Sequence, residues 1–97
     1  MVEVHVAGRI EGGLFAEFLE AVERWRAYCR EHGMVDPRIL QGISGEMNSV
    51  LPVFSYPGLS GYEEEEARVA GRGEYARTAM AMPFEGPLYF TIYRDLR

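Results

Sequence analysis

The chain has 97 residues, 47% apolar and 26% charged, with a net charge of −5, an ordinary soluble globular balance within one domain's length. That charge, with ten arginines scattered among fifteen acids and no basic stripe, argues against a nucleic-acid partner. One cysteine, Cys29, excludes an internal disulfide and a cysteine-built zinc site, and no apolar run reaches membrane-spanning length.

A single domain over residues 1–97 in a reducing, cytoplasmic setting is therefore expected. Val2, Val4 and Val6 alternate with Glu3, His5 and Ala7, the period of a half-buried strand rather than the apolar block of a signal peptide. After Gly12-Gly13, the residues Leu14, Phe18, Val22, Trp25 and Cys29 recur every three or four positions, with Phe15 and Leu19 widening the stripe. This predicts a helix that Gly33 stops. Both Trp25 and Cys29 read as core, and His32 reads as a complement to the helix dipole. A second strand is expected over 38–44, a hairpin connection over 44–48, and a third strand over 48–56. Pro52 implies a bulge or an outward-facing nitrogen in that strand.

Ser60 with Glu63 reads as a capping box opening a second helix, with Glu63, Glu64, Glu65 and Glu66 in its first turns. Consecutive helical residues point about 100° apart, so the four carboxylates do not converge on one ion, and no metal is expected. Gly71–Tyr75 breaks this helix, a second piece runs over 74–82, and Met80-Ala81-Met82 reads as core or as a pocket mouth. Leu88, Phe90 and Ile92 alternate with Tyr89, Thr91 and Tyr93 in a last strand. The order β-α-β-β-α-β predicts an α+β, ferredoxin-like fold: a four-stranded antiparallel sheet in the order 4-1-3-2, with helices on one face.

From "GEMNSVLPVFSYPGLSGYEEEEARVAGRGEYA" onward the chain resembles the NIPSNAP-like members of the dimeric α/β-barrel superfamily. The resemblance is carried by Gly45, Asn48, Tyr56, Leu59, the helix near Glu63, the break, and Glu74-Tyr75. It departs where relatives often carry a mid-strand histidine and this chain has Pro52. The resemblance implies a homodimer whose two sheets face each other as an α/β barrel, with no obligatory cofactor.

A sheet padded on one face needs cover on the other. Val2, Val4, Val6, Leu88, Phe90 and Ile92 are assigned to the helix side. Glu3, His5, Ala7, Tyr89, Thr91 and Tyr93 are assigned to the uncovered side, together with the parity of Asn48, Val50, Phe54 and Tyr56. His5 is the acid–base candidate, and Glu3 beside it is a neighbour two residues along the strand. Asn48, Phe54, Tyr56, Tyr89, Thr91 and Tyr93 are the ligand-binding candidates, for a small apolar or aromatic molecule held between sheet and helices or between facing sheets. Three functions fit this pattern: a homodimeric small-molecule-binding domain, a cofactor-independent oxygenase or isomerase of a small aromatic or polyketide-like substrate, and an assembly module without ligand.

Overall fold

The computed structural model describes residues 1–96, the side chains of Ala76, Ala79 and Met80 excepted. Its elements are β1 (Val2–Ile10), α1 (Phe15–Glu31), β2 (Arg38–Gln41), β3 (Ser49–Tyr56), α2 (Leu59–Val69), α3 (Gly73–Met80) and β4 (Phe84–Arg94). The strands form one antiparallel sheet in the order β2-β3-β1-β4, which is the expected arrangement. The helical stretch after β3 is broken in two as expected, parted at Gly71, whose φ of +80° a residue with a side chain adopts only at a cost.

Alternation along β1 sets the two faces. Val2, Val4, Val6 and Ile10 are buried on the helix side, and α1 lays Phe18, Ala21, Val22, Trp25, Tyr28 and Cys29 inward at helical spacing. Leu19, expected on the stripe, is exposed. The core divides into two clusters. One joins Val2, Val4, Val6 and Tyr56, and the other joins Ile10, Phe18, Val22 and Val50.

Three local expectations change. Pro52 makes no bulge: pairing with β1 skips the positions beside it and resumes in the same register, from His5↔Val53 to Gly8↔Val50. The bulge lies instead between β1 and β4, where the register shifts between Ala7 and Arg9, next to Gly86 at φ +76° and Pro87. Ser60 is not a capping residue. Gly58, in extended backbone, is the N-cap without a side-chain hydrogen bond, and the four glutamates fall beyond the first turn.

The largest departure concerns coverage. Leu88, Phe90 and Ile92 do lie on the helix side, the last two opposite Val6 and Val4, yet Phe90 remains 64% and Ile92 46% exposed. The helix side covers β1 and β3 but reaches β4 only at Phe84, which packs on Phe18, and from Glu85 onward the strand is exposed on both faces.

Candidate functional site

Between the two core clusters the sheet and helices leave a partly open cleft of about 130 Å³. Its floor is Val4, Val6, Pro52, Phe54 and Tyr56. Trp25 of α1, Glu65 and Val69 of α2, and Tyr75 of α3 form its roof, while Met82, Phe84, Leu88 and Phe90 edge it toward β4. Of the expected mouth residues, Met82 lines the cleft, Ala81 is exposed, and the Met80 side chain lies outside the described residues. Aromatic edges hold the walls: Trp25 and Tyr75 meet at 5.1 Å between ring centroids, and Tyr56 and Tyr62 at 5.6 Å.

One acid from the glutamate run enters this apolar space. Tyr62, Glu65 and Val69 share one stripe of α2, so Glu65 is 8% exposed while Glu63, Glu64 and Glu66 are solvent-exposed. Glu65 Oε2 accepts the Val35 N–H at 3.5 Å, which ties the loop after α1 to α2. That loop is also held by Arg26, which donates to the Pro37 carbonyl at 3.0 Å, and by Arg26 and Arg30, whose guanidiniums both reach Asp36.

Burial lifts the Glu65 carboxyl above the usual carboxylate range. Glu66 adds to the lift, and the Val35 N–H, the Tyr56 hydroxyl and Arg68 oppose it. Burial, and Glu65 beside it, push the Tyr56 phenol well up, and burial pushes Tyr75 up to about 12. Both tyrosines are therefore neutral donors at physiological pH. Cys29 is fully buried and pushed up to about 11 by burial and by Glu65, which leaves a thiol rather than a nucleophilic thiolate.

Phe54 and Tyr56 need correction as to face. They stand directly opposite Val4 and Val2, so they point at the helices and not at the uncovered face. Strand β3 is apolar at both parities, and only cross-strand pairing chooses between them. Asn48 also moves. It precedes β3 in a turn with φ +60°, and its carbonyl accepts the Ile10 N–H at 2.9 Å.

The uncovered face carries the other candidates. Glu3, His5 and Ala7 are opposite Tyr93, Thr91 and Tyr89. His5 Nε2 and Glu3 Oε1 are 3.1 Å apart, a hydrogen bond where only proximity was expected. Arg38 Nη2 approaches the other Glu3 oxygen at 3.8 Å, and the Tyr93 ring lies 4.7 Å from the imidazole. His32, at the C-terminus of α1, has Nδ1 3.0 Å from the Tyr28 carbonyl, which suits its helix-end role. Among the described residues no three His, Cys, Asp or Glu side chains gather to hold a metal ion, and no helix is long and apolar enough to cross a membrane.

Sequence reasoning missed Glu65, Trp25 and Tyr75 as a group. The spacing of Tyr62, Glu65 and Val69 was the available signal, since it marks which of four identical acids turns inward.

No family model and no curated protein matches the chain. Solved structures share its fold. A NIPSNAP family protein of unknown function from Agrobacterium tumefaciens is 15% identical, with a TM-score of 0.78 over 100% of this chain and 89% of that one. An uncharacterised NIPSNAP domain protein from Burkholderia xenovorans is 20% identical, with a TM-score of 0.76 over 98% of this chain and 94% of that one. An antibiotic biosynthesis monooxygenase is 7% identical, with a TM-score of 0.74 over 100% of both chains. The chain thus has a NIPSNAP-like, ferredoxin-like fold, and at these identities the likeness is one of fold.

The raised Glu65 carboxyl has a consequence for stability. The folded protein holds that proton more tightly than the unfolded chain does, so stability present below the ordinary glutamate range is lost as pH rises through the folded-state value. Glu65→Gln is expected to raise the thermal midpoint at pH 8, with the gain closing below about pH 4. Melting curves of both proteins across pH check this, and a lowered midpoint for the variant at pH 8 contradicts it.

Proposed function

We propose that this chain is a homodimeric small-molecule-binding domain, acting as one unit over its 97 residues, which holds a small apolar or aromatic ligand in the cleft between sheet and helices. The observation that carries the reading is a partly open, mostly apolar cavity with one buried carboxyl in its wall. Ligand pockets have this makeup: apolar walls with a few placed polar groups. At about 130 Å³ the cleft suits a single ring; an apolar cavity of roughly 150 Å³ is known to take up benzene. Phe54 and Tyr56 contact the ligand in this reading, joined by Trp25 and Tyr75. Asn48 serves the turn before β3.

Homodimerisation is supported by β4. Tyr89 and Tyr93 are 65% and 54% exposed on one face of the strand, and Phe90 and Ile92 are bare on the other. A second copy laid against the uncovered face would shelter the tyrosines, giving Tyr89, Thr91 and Tyr93 a packing role.

A second reading has its own observation. The antibiotic biosynthesis monooxygenase shares the fold, and here the His5 imidazole is hydrogen-bonded to Glu3 as an oriented base would be. In that reading the chain is a cofactor-independent oxygenase or isomerase of a small aromatic substrate held between facing sheets, with His5 as its base.

Trp25 is the single tryptophan and lines the cleft, so its indole N–H signal reports occupancy. Titration with toluene is expected to shift that signal with a Kd on the order of 0.1–1 mM. An unmoved Trp25 signal, with toluene shifting only residues of the uncovered face, favours the second reading. Sedimentation is expected to show a dimer at micromolar concentration, which Tyr93→Glu converts to monomer by burying a charge in the contact. A wild-type monomer contradicts the dimer.

A further inference from the structure

We propose that Glu65 sets the specificity of the cleft, selecting small neutral rings that carry a hydroxyl donor (phenols) and turning away ring carboxylates. The inference rests on the cleft being the binding site. It adds which chemistry the site prefers.

Glu65 is the buried acid of the wall, and none of the ion pairs among the described residues includes it. A carboxyl group offers about four acceptor positions. One is used by the Val35 N–H, at a long 3.5 Å, and the Tyr56 hydroxyl lies beside the group. Acceptor capacity is left over at the edge of an apolar cavity, where an unmade hydrogen bond is costly. A phenol meets both demands at once: its ring fills the apolar space and its hydroxyl donates to Glu65. Toluene has nearly the same shape and leaves the acceptor unmet. A benzoate brings a negative charge toward a wall that already holds Glu65 and Glu66. An acid that serves only packing is replaceable by an apolar residue. A buried acid that faces a cavity with acceptor capacity to spare is the pattern of a recognition group.

The test uses the full chain and the Trp25 indole signal, with phenol, toluene and benzoate as probes against wild type, Glu65→Gln and Glu65→Leu. Amide dispersion verifies the fold of each protein. Wild type is expected to bind phenol about tenfold more tightly than toluene and to show no benzoate binding. Glu65→Leu is expected to reverse the phenol–toluene order. Glu65→Gln, which keeps a carbonyl acceptor without charge, is expected to keep phenol and admit benzoate, and it carries the test alone if the leucine variant does not fold. If toluene and phenol bind wild type equally, or if the glutamine variant still refuses benzoate, Glu65 is not the selector although the cleft stands. If neither phenol nor toluene moves Trp25 in wild type, the cleft reading fails and takes this inference with it.

Discussion

The structure depends on the buried helix-side face of β1, which packs on Tyr56, Phe54 and Tyr62 at its valine end and on α1 at Ile10. Val2, Val4 and Val6 are buried because they alternate on a central strand, and Ile10 continues the face down to Phe18 and Val22. A fully buried Val or Phe side chain contributes about 1.5–3 kcal/mol, so this seam decides where the helices rest. Helices resting there meet the sheet's far edge only at Phe84, whose ring lies 5.9 Å from that of Phe18. From Glu85 onward the strand β4 is consequently exposed on both faces. Both functional readings follow from that shortfall. Below the helices it leaves a cleft between two core clusters, and beyond them it leaves an aromatic strand in need of cover.

The polar chemistry of the cleft follows from the same geometry. Glu65 turns inward because it shares a helical stripe with Tyr62 and Val69, residues the core requires. Burial then raises its carboxyl and the neighbouring tyrosines together, so the site presents neutral donors and a reluctant anion within apolar walls. On the opposite face Glu3 sits between His5 and Arg38, at 3.1 Å and 3.8 Å. That cluster is more polar and more exposed, and it lies where a second copy would pack.

Much of the architecture was legible in the sequence. The period-two run at β1 and the three-to-four spacing of α1 each admit one assignment, and with the element order they fix the ferredoxin-like topology. The faces of β1 and β4 were legible for the same reason. Strand β3 was not: Val50, Pro52, Phe54 and Tyr56 are apolar, and so are Leu51 and Val53 on the other parity, so alternation carries no face. Pairing of Tyr56 with Val2 settles it in space. The glutamate run misled in a related way. Four identical residues hide which one turns inward, and the Pro57-Gly58 turn starts the helix earlier than Ser60 suggests. The site itself draws on α1, α2, α3 and β3, an assembly no local pattern displays.

In the proposed function the ligand enters the cleft beneath the helices and not the uncovered sheet face. Nuclear Overhauser effects from the toluene methyl group to the protein test it most directly. Contacts to Val6, Trp25, Phe54 and Tyr75 are expected, and contacts confined to His5, Tyr89 and Tyr93 would place the ligand on the sheet face instead.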